Sequence, residues 1–117
     1  MTIKAELQAL CDAYVAAYRA GDAEGCAAVF AEDGAMHSAF APPAIGRAAI
    51  AATHAEWTAG GERKTLTVRQ AAGSGDVAWF LADFAEGEAT GEGVSLCVCG
   101  RAPGGPWRIA VCSLTAA

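Results

Sequence analysis

The nine residues Val77-Ala78-Trp79-Phe80-Leu81-Ala82-Asp83-Phe84-Ala85 decide how this chain folds. In an extended strand successive side chains point to opposite faces, so Val77, Trp79, Leu81 and Asp83 share one side and Ala78, Phe80, Ala82 and Phe84 the other. Neither set has the polar character of a solvated face, so both sides of the strand require cover. Turn chemistry brackets it: Gly73-Ser74-Gly75-Asp76 comes before, and a Gly-rich acidic loop from Glu86 to Gly93 follows. Thr65 to Arg69 alternates as a preceding strand, while Val94 to Ala102 and Trp107 to Leu114 read as two further strands around a tight turn at 103–106. The second half of the chain is therefore expected to be an antiparallel meander.

Upstream of residue 60 the period changes. Ile3, Leu7, Leu10, Tyr14 and Tyr18, widened by Cys11 and Val15, form one stripe of an amphipathic helix from 3 to about 19, ended by Gly21. Asp22 is a good N-cap for a second helix that carries Cys26, Val29 and Phe30 inward and closes at Asp33-Gly34. Ala35 to Phe40 is a short extended piece stopped by Pro42-Pro43. Gly46 to Ala59 is a third helix with Ile50, His54 and Trp57 on one face, terminated by Gly60-Gly61. Helices followed by strands make an α+β domain, and the chain is expected to be one domain over residues 1–117. Three helices can cover only one side of the sheet, so the other is expected to meet a second copy in a homodimer; a monomer that tolerates the bare face is the alternative.

Composition excludes several classes of function. The 117 residues are 54% hydrophobic and carry a net charge of −5, which suits a buried core and not a disordered tail. The eight basic residues are scattered and outnumbered by thirteen acidic ones, so nucleic acid is not an expected partner. No stretch approaches the roughly 20 apolar residues of a membrane span, and Lys4, Glu6 and Asp12 interrupt what a signal peptide would keep apolar, so a cytoplasmic protein is expected. Five cysteines without such a signal read as reduced core residues. Cys97 and Cys99 share a strand face, where they pack or bind metal; with no second pair at zinc spacing, packing is expected and no metal site is assigned.

The runs Tyr14 to Asp22, Val29 to Gly34 and Gly46 to Ile50, followed by Ser74 to Trp79, Glu92 to Leu96 and Gly105 to Ile109, resemble ketosteroid isomerase and the small SnoaL-like proteins of the nuclear-transport-factor-2-like superfamily. The resemblance spans nearly the whole chain. It implies a strongly curved antiparallel sheet wrapped around the helices as a cone, an apolar pocket inside, and a dimer through the outer sheet face. In ketosteroid isomerase a Tyr and a protonated Asp hydrogen-bond to the enolate while another Asp moves the proton. Tyr14 matches the Tyr position, which implies an oxyanion donor; equally it is a member of the first helix's apolar stripe. Ser38 stands where the proton-shuttling Asp is expected, and no Asp or Glu occurs from Gly93 onward. The isomerase and cyclase mechanisms therefore lack their carboxylates here.

Two residues are candidates to replace them. His54, on the inward stripe of the third helix, is either a general base or a hydrogen-bonded core imidazole. Asp83 either reaches the pocket or pairs with an Arg at an interface, and the ion pair is favoured. Ser38, His54 and Asp83 supply the letters of a hydrolase triad without its G-x-S-x-G elbow, and His54-Ala55-Glu56 mimics a zinc deaminase without the P-C-x-x-C. The expected function is binding of a small hydrophobic molecule by Tyr14, Ser38, His54, Trp57 and Trp79. Enolisation by Tyr14 with His54 or Asp83, without a cofactor, is the catalytic possibility; a binding or dimerisation module that has lost the catalytic carboxylates is the alternative.

Overall fold

The computed structural model describes residues 1–117. Helix α1 spans Ile3–Arg19, its N-terminus capped by the Thr2 hydroxyl, which accepts from the Ala5 N–H at 3.1 Å. Leu7, Leu10, Cys11, Tyr14 and Tyr18 of its stripe are buried, as their spacing requires. Helix α2 spans Ala23–Ala28 behind Asp22, whose carboxylate accepts from Gly25 N–H. It stops five residues earlier than the sequence suggests, because the chain crosses into a strand at Phe30: the Val29 carbonyl accepts from Ile109 N–H across the sheet. Strand β1 is Phe30–Ser38, and a two-residue β2, Ala44–Ile45, not expected from the sequence, pairs antiparallel with it. Helix α3 is Arg47–Trp57. Strands β3 (Thr65–Ser74), β4 (Val77–Gly87), β5 (Gly91–Gly100) and β6 (Arg108–Ala116) complete the chain.

The six strands form one sheet in the order β2-β1-β6-β5-β4-β3. β3 to β6 make the expected antiparallel meander, but β1 lies parallel to β6, so the sheet is mixed at that one junction. A parallel neighbour needs a long return connection, which α3 and the meander supply. Register shifts in all four of these pairings bend the sheet around α1. The stretch read as a loop from Glu86 to Gly93 is mostly strand, with Gly87 opposite Gly91.

Alternation on β4 runs as the sequence implies. Ala78, Phe80, Ala82 and Phe84 are buried on the concave side; Trp79 and Leu81 are half-buried and Val77 and Asp83 exposed on the convex side. Gln8 of α1 docks the helix against the edge strand β3, its amide donating to Leu66 C=O and accepting from Val68 N–H at 3.1 and 2.7 Å. The sheet tolerates no extra atom at Gly93, where a Cβ would overlap the Thr115 carbonyl and come within 2.7 Å of the Phe84 ring. No helix is long and apolar enough to cross a membrane. Replacing Gly93 by Ala is expected to destabilise the fold by about 1–3 kcal/mol, the usual range for overpacking, as read from urea denaturation; an unchanged midpoint would contradict this packing.

Candidate functional site

α1 and the concave sheet face enclose a narrow hollow of about 30 Å³, room for a single water molecule. Leu10, Cys11 and Tyr14 of α1 form one wall and Phe80, Phe84 and Cys97 the facing one; half-buried Leu66 and Leu114 also border it. Its polar lining comes from Tyr14, Lys64 and Ser95, and no carboxylate borders it. Nowhere in the chain do three His, Cys, Asp or Glu side chains converge, so there is no ready ligand set for a metal.

Tyr14 and His54 meet, 40 residues apart in sequence. The Tyr14 hydroxyl and His54 Nε2 are 2.7 Å apart, and His54 Nδ1 lies 2.8 Å from the Ile50 carbonyl. A carbonyl can only accept, so Nδ1 carries the imidazole proton, Nε2 is the acceptor and the phenol donates to it. Both rings are enclosed, His54 completely. Burial pushes the His54 pKa down to about 4; the Ile50 carbonyl opposes the shift and nearby Lys64 adds to it. Burial likewise raises the Tyr14 pKa well above its ordinary value, with proximity to Cys26 the next cause. The pair is a neutral donor and a neutral acceptor that satisfy each other.

The other expected site residues lie elsewhere. Trp57 is buried, edge-on to the His54 ring at a 5.1 Å centroid separation, and supports the imidazole without bordering the hollow. Ser38 ends β1, where its hydroxyl accepts from Phe40 N–H at 3.1 Å, and it too is outside the hollow. Asp83 and Trp79 sit on the convex face. The Asp83 carboxylate is 53% exposed and forms an ion pair with Arg69 of β3, which holds its pKa below the usual carboxylate value. The Arg pairing expected for Asp83 is present, exposed on the convex face, and strand parity keeps both residues away from Tyr14. The hydrolase-triad letters Ser38, His54 and Asp83 do not converge.

Lys64 went unnoticed in the sequence. It follows the Gly60-Gly61 turn, where a charged residue reads as solvated, yet it is 2% exposed. The available signal was parity: Lys64, Leu66 and Val68 alternate onto the same inward face. The backbone is held there by Lys64 N–H donating to Gly61 C=O and by Arg19 Nε donating to Lys64 C=O at 2.7 Å. Gly61 lets the turn approach α1 closely, since a Cβ there would lie 2.5 Å from the Tyr18 ring.

The tautomer sets an acid response. Unfolded chain takes up the His54 proton near pH ~6.5, whereas the folded protein does so near 4. Stability therefore falls as pH drops through this window, by about 3 kcal/mol from this residue. Nitrogen-15 shifts of the imidazole should show an Nδ1-protonated neutral ring at pH 5.5; a ring already charged at that pH would refute the assignment. Replacing Tyr14 by Phe strands the Nε2 acceptor, and a loss of about 1–3 kcal/mol is expected in urea denaturation.

No curated protein matches the sequence significantly. Solved structures do match the fold. A ketosteroid isomerase-like protein from Erwinia carotovora atroseptica superposes with a TM-score of 0.77 at 20% identity, covering 96% of this chain and 94% of that one. An NTF2-like protein with a cystatin-like fold from Novosphingobium aromaticivorans gives 0.71 at 24% identity, covering 96% and 80%. A protein from Catenulispora acidiphila, solved in complex with S-DNPA, gives 0.70 at 22% identity, covering 95% and 90%. The SnoaL-like domain model matches residues 11–114, nearly the whole of the folded chain. With that match over most of its length, the chain belongs to the SnoaL-like domain family.

Proposed function

We propose that this protein is a single-domain binding protein for a small, largely apolar molecule, housed between α1 and the concave sheet, without enolisation chemistry at Tyr14. The observation that carries this reading is the closed Tyr14–His54 pair beside an apolar hollow with no bordering carboxylate. An oxyanion at Tyr14 would need the phenol proton that His54 Nε2 already accepts, and taking it would leave a buried nitrogen unpaired. A base whose pKa lies near 4 is also a weak proton acceptor at neutral pH. The Catenulispora neighbour, solved with a small molecule, supports the use of this fold as a container. The hollow is smaller than such a guest, so the reading requires the half-buried Leu66 and Leu114 side chains that border it to move aside on binding.

The expected result is saturable binding of the neutral fluorophore N-phenyl-1-naphthylamine, abolished when Ser95→Leu fills the hollow. Unsaturable binding, or binding indifferent to Ser95→Leu, would refute the container. Turnover of a β,γ-unsaturated ketone that disappears in Tyr14→Phe would instead restore the enolisation mechanism.

The same reading includes a homodimer through the convex face. Val77, Leu96, Val98 and Val111 are exposed there beside half-buried Trp79 and Leu81, a contiguous apolar strip across β4, β5 and β6. Sedimentation should give twice the chain mass for the wild type and once for Val98→Arg; a monomeric wild type at micromolar concentration would refute the dimer.

A further inference from the structure

The Lys64 ammonium is buried without an anion. It takes part in none of the chain's ion pairs. Its Nζ donates one hydrogen bond, to Thr90 Oγ1 at 2.9 Å, and lies over the rings of Tyr18 and Phe84 at 4.8 and 4.6 Å from their centroids. An ammonium has three donors, and beyond Thr90 it meets only the two ring faces, so two donors have no lone-pair acceptor. Lys64 also borders the hollow, as does the Phe84 ring that it overlies.

We propose that Lys64 anchors the carboxylate of the molecule this cavity binds, so that the ligand class is a small monocarboxylic acid with an apolar body. The inference rests on the cavity being a ligand site and adds the charge of its occupant. One cation calls for one anion: a monocarboxylate leaves the enclosed pair neutral, whereas a phosphate dianion would leave a buried net charge. The carboxylate oxygens take the two spare ammonium donors, and the Thr90 contact and the two rings hold the ammonium in place. Apart from the Ser95 and Tyr14 hydroxyls the remaining walls are hydrocarbon, aromatic or sulfur, which suits an apolar tail and offers little to a second charge. Burial lowers the Lys64 pKa to about 8, partly opposed by Cys26, and a bound anion acts in the direction that restores the charge.

The alternative is that Lys64 is a tolerated core lysine, stabilised by aromatic faces alone. Calorimetric titration with octanoate and with octan-1-ol, equal in chain length and differing in charge, separates the two. Wild type is expected to bind octanoate at least tenfold more tightly than octan-1-ol. Lys64→Met is expected to keep the alcohol affinity and lose at least tenfold for the acid. Equal affinities in the wild type, or an acid preference surviving in Lys64→Met, overturn the assignment while the cavity stands; binding of neither compound removes the cavity reading as well.

A second measurement needs no variant. The chain has only two lysines, Lys64 and the exposed Lys4. Octanoate, and not octan-1-ol, is expected to slow amine acylation of Lys64 at least tenfold by peptide mass spectrometry, with Lys4 as internal control. Equal labelling of Lys64 with and without octanoate under saturating conditions overturns the proposal.

Discussion

A polar atom enclosed between the helices and the concave sheet is costly unless it finds a partner there, and apart from the Trp107 Nε1, which has none, that cost organises the interior. The concave face is built from Ala78, Phe80, Ala82 and Phe84 on β4 with Cys97 and Cys99 on β5, and α1 lays its apolar stripe across them. Within these walls a lone imidazole is costly, so His54 is neutral and both its nitrogens are engaged, one by Ile50 and one by Tyr14. The bond ties α1 to α3 across the top of the sheet. It also removes from Tyr14 the proton that an oxyanion would use.

The same rule makes Lys64 conspicuous. His54 and Tyr14 have equal supply and demand; Lys64 has more donors than acceptors around it. A buried lysine held by one hydroxyl and two rings retains hydrogen-bonding capacity that the protein does not use. The ordering of chemistry along the cavity follows: a closed neutral pair at Tyr14 and a cation without a counter-ion at Lys64, with mostly apolar walls and the Ser95 hydroxyl between. This distribution departs from an isomerase site, where donors gather around one developing oxyanion and a carboxylate base stands nearby.

Outside the cone the constraint relaxes. Asp83 pairs with Arg69 in solvent, where such pairs contribute little to stability. Its β4 neighbours Trp79 and Leu81 carry the apolar strip of the convex face. Convex and concave residues alternate along one strand, so the exposed apolar strip and the cavity wall share a backbone. A change in one face can therefore be felt at the other through strand position, without any side chain crossing the sheet.

Local pattern alone determined the helix stripe of α1, the meander β3 to β6 and the division of β4 into two side-chain sets, because periods of 3.6 and 2 are properties of the chain itself, whereas the packing of α1 decided which set faces inward and turned Trp79 and Asp83 outward. The early end of α2 and the parallel pairing of β1 with β6 depended on contacts between residues some 80 positions apart, such as Val29 with Ile109. Tyr14 and His54 were recognisable as inward-facing polar residues, but only the packing of α1 against α3 decided that they bond to each other. For Lys64, parity with Leu66 and Val68 carried a hint, whereas its missing anion could be seen only in three dimensions. Sequence spacing specifies which side chains share a face; which way that face turns and what stands opposite it are properties of the assembled fold.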